Sequence, residues 1–194
     1  PTGDPNIDND IKIWGFWNEL GEEMAAQNAE NNVTGRANTV KASDEQLKPR
    51  YYTWSMLCRY FPSGMQILET TDSGIDYVRA TSGIINRGNN QADLSIAVVN
   101  TSNKEQTITL NVPNASGKAT LNQYYYYDGD RPMNDKGQLE VYDTLENVDL
   151  AKGLEVTMPA NTCMIFTTLG HERESNPITL TTGQTPAVTG VDIY

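Results

Sequence analysis

Residues 93–112 read DLSIAVVNTSNKEQTITLNV. Leu94 to Val99 is apolar apart from Ser95 and of strand length, and Asn100-Thr101-Ser102-Asn103 breaks it with residues that favour turns. The chain then alternates, with Thr107, Thr109 and Asn111 on one side and Ile108, Leu110 and Val112 on the other. Successive side chains of a strand point to opposite faces, so this segment must have one buried and one wet face.

The same texture extends in both directions. MQILETT (65–71) and DYVRATSGIINR (76–87) precede it; KATLNQYYYYD (118–128), QLEVYDT (138–144) and GLEVTMP (153–159) running into CMIFTTL (163–169) follow. Turn-forming clusters at 113–117, 128–130 and 134–137 separate them. About seven to nine short strands without a strand–helix–strand rhythm predict a mainly β domain over 63–169, an antiparallel β-sandwich or barrel.

Residues 1–62 differ. IKIWGFW (11–17) has the length of a buried strand, and 21–41 is a polar loop with a short helical turn around Glu22–Asn28. Pro49 suits the start of a helix, and Pro62 and Gly64 stop it. Leu47, Tyr51, Trp54, Cys58 and Phe61 form one stripe at helical spacing, expected to be buried, with Tyr52, Met56 and Tyr60 as a second stripe beside it. One strand and one helix make no domain, because the strand needs neighbours and the helix needs a sheet to cover. Residues 1–62 therefore extend the sandwich, end a domain that begins elsewhere, or are completed by a second chain. From 170 to 194 the chain is rich in Thr, Gly and Pro and reads as an exit segment or linker, with AVTGVDIY a short strand at its end.

The 194 residues carry 25 Asp plus Glu against 14 Lys plus Arg, a net charge of −11. That balance opposes nucleic acid and anionic membrane surfaces as partners. No run approaches the roughly 18 apolar residues of a membrane span. One histidine and two cysteines leave little for a metal site, and no cofactor is expected. Cys58 and Cys163 sit in apolar company, as buried free thiols or as one disulfide.

Several phrases, in this order, resemble a known family: IWGFWNEL, then LKPRYYTWSMLCRYFPSGMQIL, then VRATSGI, DLSIAVVNTS and LEVTMPANTCMIFTTL. The chain is similar to the end of the retaining glycoside hydrolases that join a (β/α)8 barrel to a C-terminal β-sandwich, closest to family 30 and neighbouring families of the same clan. The resemblance implies that Lys48 to Gly64 is the barrel's eighth helix running into the sandwich, and that Leu150 to Thr167 is the sandwich's last hairpin. It implies that residues 1–62 are the end of the barrel (strand eight, a long loop and helix eight), whose missing portion is a partner of this chain. A (β/α)8 barrel needs about 250 residues, so the chain is expected to be part of a secreted, periplasmic or cell-surface bacterial enzyme acting on carbohydrate.

On that reading Ile11–Trp17 is barrel strand eight, and Trp17, with Trp14 as the other candidate, floors a sugar subsite by stacking on the apolar face of the ring; both tryptophans are otherwise core. Asn18-Glu19 matches the acid/base signature of the clan's strand four, but only one loop and one helix separate it from the β region. A retaining mechanism also needs a second carboxylate about 5 Å away. Glu19 is thus a loop carboxylate near a substrate cleft, and no catalytic residue is assigned within the chain.

In the run Tyr124 to Tyr127, alternation puts Tyr124 and Tyr126 on one face and Tyr125 and Tyr127 on the other. One pair lines the core; the other faces the barrel joint or, if exposed, offers a stacking platform for sugar. Asp128, Asp130, Asn134 and Asp135 make a solvated turn without the ligand order of a Ca²⁺ loop, and His171 has no nucleophile or ligand beside it. The competing reading of the whole is a self-contained, non-catalytic carbohydrate-binding module.

Overall fold

The computed structural model describes residues 49–127, 139–171, 174–181 and 191–192. Trp14, Trp17, Glu19, the turn around Glu22–Asn28, Leu47 and the Asp128–Asp135 turn lie outside them. The chain divides into two compact units between Trp54 and Ser55.

Helix α1 (Pro49–Tyr60) leads into β1 (Gln66–Leu68), β2 (Val78–Gly88), β3 (Gln91–Asn100), β4 (Gln106–Leu110), β5 (Ala115–Ser116), β6 (Ala119–Tyr126), β7 (Asp143–Val148), β8 (Leu154–Met158), β9 (Thr162–Thr167), β10 (Ile178–Leu180) and β11 (Val191–Asp192). The larger sheet runs β1-β2-β3-β9-β6-β7, with β10 pairing both β3 and β5; the smaller runs β11-β4-β8. All pairings are antiparallel. This is the expected sandwich.

The alternation of 106–112 reads directly into it. Ile108, Leu110 and Val112 are buried, while Thr107 is exposed. They meet Leu94, Ile96 and Val98 of β3, Met164 and Phe166 of β9, and Val156 and Met158 of β8 in one apolar core. Fully burying one such side chain stabilises the fold by about 1.5–3 kcal/mol.

The β2–β3 hairpin turns at Asn89 and Asn90, with φ of 50° and 59°; two consecutive left-handed residues match the right-handed twist of the flanking strands. Asn tolerates that conformation better than most residues because its short side chain bonds locally.

Strands β3 and β9 are buried on both faces. Ser95 pairs with Thr167, Ala97 with Ile165 and Val99 with Cys163, all on the face turned away from the smaller sheet. Tyr124 and Tyr126 of β6 continue this face, opposite Ile165 and Cys163. Here α1 meets the sheet: the Tyr60 ring stacks on Tyr124 with centroids 4.1 Å apart.

The helix corrects one expectation. Tyr52, Met56 and Tyr60 are buried, whereas Trp54 and Cys58 are exposed and Tyr51 and Phe61 only half-buried. Both stripes have helical spacing, so spacing alone does not choose between them. The choice follows from Tyr60, whose flat ring matches Tyr124. Cys58 is therefore exposed rather than buried, while Cys163 is buried, and both are free thiols.

Two further differences concern strands. The strand expected at 138–144 lies at Asp143–Val148. Within 170–194, β10 fills the end of β3 beside Gln91 and Ala92, and β11 pairs with β4, so this stretch supplies strands to both sheets.

Candidate functional site

Tyr125 of β6 and Tyr127, just beyond its end, stack their rings with centroids 5.7 Å apart. Tyr142, just before β7, meets Tyr125 edge-on at 4.2 Å with planes at 88°. Its backbone is tied to β6 by its N–H, which donates to the Gln123 carbonyl at 2.8 Å. Tyr125 is buried in the apolar core, Tyr127 packs partly against that core, and Tyr142 is 52% exposed. The three rings run from the core to the surface.

Aromatic pairs in such stacked or edge-on arrangements hold one another by about 0.5–1.5 kcal/mol beyond area burial. The buried ring thus fixes the exposed one. Chemically, a fixed phenol ring at a surface offers an apolar face and a hydroxyl able to donate and accept. That combination suits a ligand with flat C–H faces rimmed by hydroxyls.

The sequence pointed to Tyr125 and Tyr127 but not to Tyr142, which lay inside a stretch read as strand. The available signal was QLEVYDT itself, an aromatic beside a valine that is also exposed. Trp14, Trp17 and Glu19 lie outside the described residues.

The other tyrosine pair serves the joint. Tyr60 and Tyr124 have buried hydroxyls. Desolvation by burial raises both phenols above the ordinary tyrosine range. Neither group ionises near neutrality, which fits packing rather than acid–base chemistry.

His171 acquires a structural neighbour. Arg59 Nη1 donates to the His171 carbonyl at 3.1 Å and lies 3.3 Å from its ring nitrogens. The contact ties the C-terminal end of α1, where a cation is favoured by the helix dipole, to the segment after β9.

Among the described residues, no group of three or more His, Cys, Asp or Glu is placed to hold a metal ion. Among the same residues, no helix is long and apolar enough to cross a membrane.

No protein-family model matches the chain, and no curated protein matches it. Among solved structures, the fold resembles that of a GH30 endoxylanase from Clostridium papyrosolvens C71, at 14% identity and a TM-score of 0.47, over 76% of this chain and 37% of that one. It also resembles a glycoside hydrolase family 30 subfamily 8 xylanase from Clostridium acetobutylicum, at 12% identity and a TM-score of 0.49, over 78% of this chain and 40% of that one. The chain thus spans well under half the length of the two structures whose fold it resembles.

Proposed function

We propose that this chain is the carboxy-terminal part of a secreted glycoside hydrolase acting on a polysaccharide or oligosaccharide. Residues 1–62 supply the last strand, loop and helix of a (β/α)8 barrel, residues 63–169 the sandwich that braces it, and 170–194 the segment that leaves it. The catalytic carboxylates stand on barrel elements outside this chain. Trp17 or Trp14 stacks on sugar, Glu19 lies near the cleft, and the protein works in the periplasm, at the surface or outside a bacterial cell.

One observation carries the reading: the central strands of the larger sheet, β3 and β9 with Tyr124 and Tyr126 of β6, are buried on their second face. A free-standing sandwich needs only its inner faces covered. Here Ala97, Cys163, Ile165, Tyr124 and Tyr126 are also buried on the side away from the smaller sheet, and Tyr60 of α1 stacks on Tyr124. A helix docked in this way is what a barrel's last helix would supply. The order of the sequence phrases supports the same conclusion.

The second reading, a non-catalytic carbohydrate-binding module, is favoured by the exposed Tyr142 held against Tyr125. It needs no barrel and gives the aromatic cluster the whole of the function.

The two separate on the encoded polypeptide. Strand–helix units upstream of Pro1, with two carboxylates about 5–5.5 Å apart at strand ends, together with release of reducing sugar from xylan or glucan, are the expected result. An upstream segment without them, or no hydrolysis across neutral polysaccharides, overturns the glycosidase reading. Retained polysaccharide binding that Tyr142→Ala abolishes would then favour the module.

A further inference from the structure

A groove of about 490 Å³ opens at the end of the larger sheet where β2 begins and β3 ends. Asp76 and Tyr77 line one side; Ser102, Asn103, Lys104 and Gln106 line the other. Its volume falls in the range of about 300–1,000 Å³ typical of small-molecule sites.

Tyr77 is the notable residue. It is 64% exposed and its φ is 68°, a left-handed conformation that a bulky aromatic residue rarely adopts. Its carbonyl accepts two hydrogen bonds from Thr101, one from the backbone N–H at 2.9 Å and one from Oγ1 at 3.1 Å. Strained backbone persists only where its surroundings over-determine it, and such residues cluster at ligand clamps. Packing does not account for a ring that is mostly in solvent.

The opposite wall is equally fixed. The buried Asn100 donates through Nδ2 to the carbonyls of Lys104 at 2.7 Å, Pro159 at 2.9 Å and Met158 at 3.2 Å. Its Oδ1 accepts from the Ser102 N–H at 3.0 Å and from the Ser102 hydroxyl at 2.6 Å. On the first wall, the Ile75 N–H donates to Ser73 Oγ at 3.1 Å and the Val78 N–H to the Ile75 carbonyl at 3.2 Å. Both walls are tied down before any ligand arrives, which lowers the ordering cost of binding.

We propose that this groove binds a segment of a neutral saccharide chain, with the Tyr77 ring against the apolar face of one sugar and the 102–106 wall hydrogen-bonding its hydroxyls. The chemistry selects the ligand. Asn103 and Gln106 are neutral amides that both donate and accept, and the Ser102 hydroxyl, whose proton goes to Asn100, can accept. Asp76 and Lys104 balance in charge, and a net charge of −11 disfavours a polyanion. The proposal rests on the carbohydrate reading above for the class of ligand alone. It adds a site that the Tyr125–Tyr127–Tyr142 cluster does not include.

Calorimetric titration of the 194-residue chain with xylohexaose and with cellohexaose tests it. The wild type is expected to bind at least one of them. Tyr77→Gly removes the ring and suits a positive φ, so the fold and its denaturation midpoint are retained while affinity falls about tenfold or more. Tyr77→Phe keeps the ring and stays within about threefold of the wild type. A Tyr77→Gly chain that binds as the wild type does, or a wild type that binds neither sugar, overturns the proposal. Hydrolysis is not read here, so failure to bind leaves the glycosidase reading standing, and loss of that reading leaves the binding result intact.

Discussion

The ring of Tyr60 on α1 lies 4.1 Å from the ring of Tyr124 on β6, with the planes inclined by 28°. Helix and sandwich are joined through this stack, so its removal should be felt as a core mutation. Tyr60→Ala is expected to cost about 3–5 kcal/mol in denaturant unfolding, as large aromatic truncations do. The double variant Tyr60→Phe/Tyr124→Phe removes both buried hydroxyls together and should change stability by less than about 1 kcal/mol. Equal losses from the two variants would show that the hydroxyls, and not the rings, hold the joint.

Asp93 is wholly buried at the start of β3. It accepts hydrogen bonds from Arg87 Nε at 2.6 Å and from the Ser175 hydroxyl, and also pairs with Arg87 Nη2. The Arg87 side chain remains 44% exposed. Arg87→Ala leaves a buried carboxylate that, among the described residues, keeps only the Ser175 hydroxyl as a side-chain partner, and is expected to destabilise the fold by about 3 kcal/mol, at the low end for a broken buried pair. Arg87→Lys should recover part of this, since it restores charge but not the two-pronged geometry. A stability change below about 0.5 kcal/mol for Arg87→Ala, typical of surface sites, would contradict the assignment.

The two thiols should differ sharply in reactivity. Burial pushes the Cys163 thiol up to about 12, while Cys58 is on the exposed side of α1. Thiolate is the reactive form. A maleimide at pH 7 should add once to the native chain, at Cys58, and twice in denaturant, as read by intact mass and peptide mapping. Rapid native labelling at Cys163 would contradict its burial.

Asp149 is held below the ordinary carboxylate range, first by the hydrogen bond from Lys118 at 3.2 Å and then by the charges of Lys118 and Lys152. A lowered folded-state pKa favours the fold above the unfolded value, and that contribution is lost as pH falls through the folded value. Lys118→Met should therefore flatten the loss of stability below about pH 4 and leave the curve above pH 6 nearly parallel to the wild type. An unchanged acid limb would remove Asp149 from the account.

The sandwich was legible because its strands obey simple periodicity. Ile108, Leu110 and Val112 alternate with polar residues and are buried as that pattern requires. Strand β7, Asp143–Val148, is exposed or half-buried at every position, so it has no apolar rhythm to read. Strands β5 and β11 are two residues long and exist only through their partners. The buried side of α1 was hidden for a different reason: aromatic residues occupy both stripes, and the selecting partner, Tyr124, is more than sixty residues away. Tyr125 and Tyr127 were visible as a run, but their order from core to surface depends on Tyr142, which joins them only across strands. The Tyr77 groove left no signal in composition, because it comes from one backbone angle and from the five hydrogen bonds of Asn100.

Strand β3 takes its last neighbour from the far end of the chain: Ala92 is paired by Ile178 and Gln91 by Thr179, next to where β9 departs. On the ribosome this leaves a bare strand edge until residue 178 has emerged, a wait on the order of several seconds at typical synthesis rates. The sheet cannot be completed while its final strand is still inside the exit tunnel. Long-range pairing of this kind also slows folding after release. Until then the nascent protein carries a sticky edge, and its yield in a foreign host should depend more on chaperone capacity and growth temperature than on the stability of the finished fold.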